Sequence, residues 1–373
     1  MNTEAFDVTV IGGGLVGAAT AYGLVRLGKR VAMLDEGDIA FRAARGNFGL
    51  VWVQGKGLGM PAYGAWTQLS ARHWPALAAA LQNDAGVDVS LEQPGGLHVC
   101  LSERELEQRV ATMNGMLSQP GFEGYPFETL DRAGVARYFP QVGPGVVGAT
   151  HTLLDGHVNA LRLFRALHAA FVARGGSYRP NSVGGRIDRE NGAFAIEAGG
   201  RRHVSAQVVL AAGLGNASLG AQIGLTVPVR PLRGQIIALE RTRRFMHYPM
   251  GALRQTDEGT VLIGDSQEEA GFDTTVGTPI LATMADRAQR IFPLLRDVRI
   301  TRTWAALRVM SPDGFPIYEQ SQAAPGAFVA TCHSGVTLAA AHAFELAPQI
   351  LAGSLDTRLS PFSTERFHVS KAV

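Results

Sequence analysis

The chain has 373 residues, 46% of them hydrophobic and 18% charged, with a formal net charge of +2. That length allows two domains around a large core, and the near-neutral balance, with Lys only at Lys29, Lys56 and Lys371 and Arg scattered among acids, argues against a nucleic-acid binder. Cys100 and Cys332 are too few for a disulfide framework or a four-cysteine iron–sulfur site, and no charged and apolar leader precedes Asp7, so a reduced, cytoplasmic chain is expected.

The first element is a strand from Asp7 to Ile11 that runs into Gly12-Gly13-Gly14-Leu15-Val16-Gly17, followed by a small-residue helix and a second apolar run closed by Asp35 and Glu36. This is the pattern of a dinucleotide-binding βαβ unit. Gly12 permits the tight turn, Gly14 lets the backbone approach a pyrophosphate, and Gly17 lets helix and strand pack closely. The helix that starts at Leu15 and Val16 offers unpaired N–H groups to the phosphates, and Asp35 is placed to hold a ribose diol. A carboxylate there would repel a 2′-phosphate, which leaves NAD or FAD. The apolar run from Val8 to Val25 is explained by this turn rather than by a membrane span.

A Gly/Asn loop, 43–49, comes next, and then Pro61 to Leu81 has helical apolar spacing. Val87 to Leu101 alternates around Pro94-Gly95-Gly96 as a strand, turn and strand, and Glu103 to Leu117 is helical. The Pro- and Gly-rich stretch Gln141 to Gly148 reads as a crossing between domains. Ala160 to Gly175 is an amphipathic helix ended by glycine, and Val204 to Leu210 has the character of a central parallel strand whose C-terminal end meets ligand. From Gly234 to Asp265 the pattern turns to antiparallel strands, Gln235–Leu239 and Thr260–Gly264. Phe328 to Thr331 is a last strand before a Gly turn and a long helix to Leu351. This ordering gives an α/β nucleotide domain assembled from separated pieces, with an antiparallel-sheet substrate domain inserted between them.

Four further motifs follow the first in order: Asp155-Gly156-His157-Val158-Asn159; Val208 to Gly213; Trp304-Ala305-Ala306-Leu307-Arg308 with Pro312-Asp313-Gly314-Phe315-Pro316; and His333 to Leu338. With them the chain resembles, over nearly its whole length, the D-amino-acid oxidase-like (DAO) FAD oxidoreductases, the group of glycine oxidase and monomeric sarcosine oxidase. On Arg254-Gln255-Thr256, Gly264-Asp265-Ser266 and Arg308-Val309-Met310-Ser311 it is similar to the β subunits of multi-subunit enzymes that oxidise opines, D-hydroxyproline or, in hydrogen cyanide synthase, glycine. The resemblance implies a glutathione-reductase-type FAD-binding Rossmann-like domain, taken as 1–82, 145–225 and 308–373, and a substrate domain, 83–144 and 226–307. It implies FAD rather than NAD, with the flavin ring between the two.

The resemblance also assigns roles. Arg308 matches the substrate-carboxylate anchor, whose guanidinium fork suits a carboxylate, although Val309 stands where the family often has Pro. Arg45, Gly46 and Asn47 match positions near the flavin, Val183 falls where a backbone pair holds the adenine, and Ala212 and Gly213 end a strand at the cofactor. His333, Ser334, Gly335, Val336 and Thr337 form a turn whose N–H groups face the flavin pyrimidine. His333 is either a flavin neighbour or a residue that bonds backbone at the helix start, and His247 and Tyr248 line the substrate side or simply pack. Neither cysteine lies near Arg308 in sequence, where Ser311 stands instead, so noncovalent FAD is expected. Residues 85–309 hold no Lys, which implies poor reactivity with O₂ unless Lys56 approaches. The electrons then leave through partner subunits, making the chain the catalytic β subunit of a dehydrogenase complex. A peroxide-producing oxidase of glycine, sarcosine or D-amino acids, a 2-hydroxy-acid dehydrogenase, and a non-catalytic flavin-bearing assembly subunit are the alternatives.

Overall fold

The strand Thr3–Ile11 pairs in parallel with Val31–Leu34 on one side and Arg201–Leu210 on the other. Ser177–Arg179 continues the sheet beyond Val31–Leu34, and Ala327–Thr331 continues it beyond Arg201–Leu210, again in parallel. An antiparallel strand, Ile317–Gln320, closes one edge, and the hairpin Ile187–Glu190 and Ala193–Ala198 pairs with the first half of Arg201–Leu210. The computed structural model describes residues 3–37, 43–44, 46–182, 185–264 and 266–368.

The central strands are buried on both faces, as the apolar runs require. Side chains alternate: Val8 and Val10 pack under the helices Leu15–Arg26, Pro61–Ala85 and Ala160–Ala173, while Ile11 points to the opposite layer with Ile187, Phe194 and Leu219. A second body holds the antiparallel sheet Arg230–Arg241, Leu253–Gln255, Thr260–Ile263 and Ile300–Met310. It shares a core with the three-stranded sheet Gly96–Cys100, Glu128–Asp131 and Gly148–Thr152 and with the helix Thr278–Ile291.

Three expectations need correction. Only Gly96–Cys100 forms a strand within 87–101; Ser90 has a φ of 52°, Pro94 lacks a donor, and Glu92 makes only an isolated bridge to His157. The stretch 141–148 is not a domain crossing: it leads into Gly148–Thr152, which pairs with Gly96–Cys100 and Glu128–Asp131, so a boundary at 144/145 would divide one sheet. The last helix is not continuous either. Ala339–Ala341 and Ala347–Ala352 flank a π turn at His342–Leu346, beside Pro348, whose ring nitrogen has no hydrogen to donate.

Candidate active site

A cavity of about 590 Å³ lies where the C-terminal ends of the parallel strands meet the Arg230–Arg241 sheet. Ala211 and Gly213 line it from one strand end, Ala330 and Thr331 from the next, and Leu15 and Val16 from the start of the first helix. Leu232, Gly234, Ile236 and residues Ala306 to Met310 form the facing wall. A crevice beyond the carboxyl ends of parallel strands is where this type of sheet takes its ligand.

The first glycine turn has the tight geometry the sequence predicts. Gly12 has a φ of 110°, and a Cβ there would stand 2.3 Å from the Ala211 carbonyl oxygen; one on Gly17 would stand 1.9 Å from the Gly12 oxygen. Gly14 differs, because a Cβ there would meet nothing within 4 Å. It caps the helix Leu15–Arg26, and among the described residues no side chain accepts from the first N–H groups of that helix, whose first internal bond runs from Ala18 N to the Gly14 oxygen. Asp35 is buried and accepts from Gly13 N at 2.5 Å and Gly37 N at 2.7 Å, while Glu36 is exposed. An open, uncapped helix start with a buried carboxylate at the adjoining strand end fits a dinucleotide, and Leu15, Val16, Gly14 and Asp35 would hold it.

At the other end Gly335 comes against Leu15 and Val16, so the two glycine turns face each other. Gly46, Asn47, His333, Ser334, Gly335, Val336 and Thr337 all line the cavity. Asn47 also accepts from Gly49 N at 2.8 Å, which folds its own loop, and buried Arg254 donates to the Phe48 carbonyl and fastens that loop to the second body. Thr337 is a structural clamp: its hydroxyl donates to Leu50 O and accepts from Trp52 N, and its carbonyl accepts from Ser70 and Trp74. Ala212 stands just outside the wall, its N–H held by Asn216. Arg45 and Val183 lie outside the described residues.

Arg308 is half-buried in the wall, with its guanidinium over Gly234 and Nη1 donating to the Ser266 carbonyl at 2.7 Å. Val309, at the position where the family often has Pro, continues the strand opposite Pro231 without a break. His333 lines the cavity and is also hydrogen-bonded to the backbone of Gly314. Burial, with Lys56 and Arg308 nearby, pushes its pKa down to about 3, so it stays neutral at neutral pH.

His247 and Tyr248 do not line the cavity. His247 is exposed, and Tyr248 packs edge-on against Tyr138 at 5.0 Å within the core of the second body, as an aromatic in an apolar segment does. Lys56, by contrast, reaches the wall and donates to Ser334 Oγ at 2.6 Å and Tyr63 OH at 3.2 Å. The absence of Lys from 85–309 therefore says nothing about oxygen here. Cys332 also lines the cavity, although far from Arg308 in sequence; burial pushes its thiol up to about 12 and keeps it protonated.

Sequence reading missed Trp52, Gln54, His98 and Arg109, which complete the wall. Among the described lining residues Lys56, Arg109 and Arg308 carry charge and no carboxylate does. Such a wall attracts anionic ligands and disfavours a bound ammonium, holding an amine in its neutral form. Among the described residues no group of three or more His, Cys, Asp or Glu could hold a metal ion, and no helix is long and apolar enough to cross a membrane.

Burial here sets the pH response. His98, His157, His333 and His342 are each pushed down to about 3, first by burial. As pH falls below the ordinary imidazole value of 6.5 the unfolded chain takes up protons that the native chain refuses, so stability is lost on acidification. Asp155, pushed up to about 7 by burial, works the other way between about 4 and 7, because the native state there holds the extra proton. Four imidazoles outweigh one carboxylate. The urea midpoint is expected to drop from pH 6.5 to pH 4.5, each unbalanced proton contributing at most about 1.4 kcal/mol per pH unit. A flat profile over that range would contradict neutral burial of these rings.

Comparison with known proteins adds independent findings. The family model described as FAD dependent oxidoreductase (DAO) matches residues 7–349. The B subunit of opine oxidase from Agrobacterium tumefaciens (strain Ach5) is 46% identical over 367 residues, covering 98% of this chain and 99% of the relative. Its counterpart from Rhizobium meliloti is 43% identical over 366 residues, with 98% and 99% covered. The crystal structure of glycine oxidase from Geobacillus kaustophilus superposes with a TM-score of 0.86 at 23% identity, covering 96% of this chain and 98% of that one, and so shares the fold.

Proposed function

Because the chain belongs to the family of FAD dependent oxidoreductases, we propose that it oxidises the C–N bond of an amino acid carrying a secondary amine, such as an opine or D-hydroxyproline. It does so as the catalytic subunit of a dehydrogenase complex. The observation that carries this reading is Arg308, a guanidinium whose fork suits a carboxylate, set in a cationic wall across the cavity from the start of the first helix. The likeness to the B subunits of two opine oxidases, which are named as parts of larger enzymes, supports both the substrate class and the complex.

When bound, FAD supplies the acceptor for a hydride, that is, for two electrons and one proton. Arg308 would grip the substrate carboxylate and fix the carbon whose C–H bond breaks. The cationic wall would keep the amine nitrogen unprotonated, so that its lone pair forms the C=N bond as the hydride leaves. Water can then add to that bond, splitting an opine into an amine and a 2-oxo acid or opening the ring of a proline analogue to a single amino 2-oxo acid. Neutral His333 and Lys56, linked through Ser334, would set positive potential near the cofactor without competing for the amine proton.

The test is anaerobic mixing of the FAD-loaded protein with opines, proline analogues, sarcosine and glycine. Rapid loss of the oxidised-flavin absorbance with secondary amino acids is expected, with slow reoxidation when air is admitted. No bleaching by any of them would overturn the reading. Fast reoxidation with stoichiometric peroxide would replace the dehydrogenase with an oxidase.

A further inference from the structure

Among the described lining residues, Arg109 is the cation that the proposed chemistry leaves unused. It projects from the helix Glu103–Leu117, on the stripe Leu106, Arg109, Met113 and Met116 that otherwise carries apolar side chains, two of them fully buried. The acid one turn earlier, Glu105, is taken by Arg287 through both of its oxygens, at 3.0 and 2.9 Å. Arg109 Nε donates to Thr150 Oγ1 at 3.1 Å and Nη2 donates to Gln54 Oε1 at 2.8 Å. Among the described residues Nη1 has no hydrogen-bond partner, and no carboxylate lies within ion-pair distance.

The surroundings explain why this guanidinium is unpaired. Gln54 stands between it and the nearest buried acid: its Nε2 donates to Asp155 Oδ2 at 2.6 Å and to the Gly96 carbonyl at 3.0 Å, which leaves only its oxygen for Arg109. Thr150 donates to the same oxygen at 2.8 Å and accepts from Nε, so the orientation of Arg109 is set on two sides. Gly55, with a φ of 78°, lets the backbone pass close to Nη1, since a Cβ there would stand 2.5 Å from it. His98, neutral and lining the same wall, adds no charge. A half-buried guanidinium that opens on a ligand cavity, held by two neutral side chains and with no ion-pair partner among the described residues, is a site for an anion. Arg109 acts electrostatically on His98, whereas Arg308 and Lys56 act on His333, so the two guanidinium groups serve separate parts of the wall.

We propose that Arg109 is a second carboxylate anchor and that the substrate is a dicarboxylic secondary amine, an N-(carboxyalkyl) amino acid held by Arg308 at one carboxylate and by Arg109 at the other. This rests on the amine-oxidation reading above and narrows its substrate class. With two anchors the amine nitrogen between the carboxylates is located from both sides, and a substrate with one carboxylate leaves half-buried Arg109 without an ionic partner, which is the basis of discrimination.

The test uses the FAD-loaded protein and two inert thioethers that differ by one carboxylate, thiodiacetate and (methylthio)acetate, titrated by the change in flavin absorbance. Wild type is expected to prefer thiodiacetate by roughly 30-fold or more, and Arg109→Gln to abolish the preference. Arg109→Lys, which keeps the charge without the fork, is expected to retain part of it and answers the question if the Gln variant does not fold. A preference that survives in Arg109→Gln, or its absence in wild type while both ligands bind, would overturn the assignment alone. If neither thioether binds wild type and no secondary amino acid bleaches its flavin, the amine-oxidation reading falls with it.

Discussion

Gly14→Ala is expected to give a protein that folds normally and is colourless. The added methyl meets no atom of the described residues within 4 Å, and the backbone at this position, with φ −68° and ψ −176°, suits any residue. Nothing in the apoprotein opposes the change. The methyl does intrude where a diphosphate must approach the bare N–H groups at the start of the helix Leu15–Arg26, and two charge-assisted hydrogen bonds at about 1.5–3 kcal/mol each correspond to at least about a hundredfold loss of affinity. Gly17→Ala is the contrasting variant, because its methyl would fall 1.9 Å from the Gly12 oxygen and must disturb the turn itself. Thermal unfolding and the flavin content of the purified proteins separate the two. A yellow Gly14→Ala protein of undiminished affinity would remove the phosphate role from this turn.

Arg308→Ala is expected to lower kcat/KM for a secondary amino acid by roughly three orders of magnitude while the flavin spectrum is retained. Truncating one member of a desolvated charge pair costs about 2–5 kcal/mol, and on the proposed reading the partner lost here is the substrate carboxylate. Because the anchor also positions the reacting carbon, kcat should fall as KM rises, rather than KM alone changing. Flavin should stay, because the guanidinium donates to the Ser266 carbonyl within the second body, whereas both glycine turns belong to the first. Arg308→Lys should recover only a small part, since an ammonium cannot reproduce the fork. Unchanged steady-state kinetics in either variant would dismiss Arg308 as the anchor.

The parts of the site that can be read from sequence are those built by local chain geometry. Gly12, Gly17 and Asp35 lie within one βαβ unit, where spacing alone dictates the turn, and the strand ending at Ala211 declares itself by an unbroken apolar run. His333 to Thr337 can be placed because a strand, a Gly turn and a helix follow one another directly. The remainder depends on contacts between distant segments. Arg109 reaches the cavity only because Gly55 makes room and Gln54 turns its carboxamide toward it. Its signal in the sequence is a lone Arg on the apolar stripe of Glu103–Leu117, but a surface helix would show the same pattern. His247 and Tyr248 fall outside the site for the opposite reason: their sequence neighbourhood is right, yet the apolar partners Tyr138 and Phe139 claim the ring of Tyr248 for the core. Lys56 enters the wall from a segment distant in sequence from the other lining cations, and Cys332 enters it simply by preceding His333.

The meeting of the two glycine turns has a consequence for how the protein matures. Gly335 rests on Leu15 and Val16, and the Trp52 amide is tied to the Thr337 hydroxyl across 285 positions of chain. The amino-terminal fingerprint therefore supplies only part of the berth, and the strand Ala327–Thr331 with the turn after it, far along the chain, supplies another part. A chain in which only the first βαβ unit has formed would hold a prosthetic group weakly, and binding it would tie that unit to the distant turn after Ala327–Thr331.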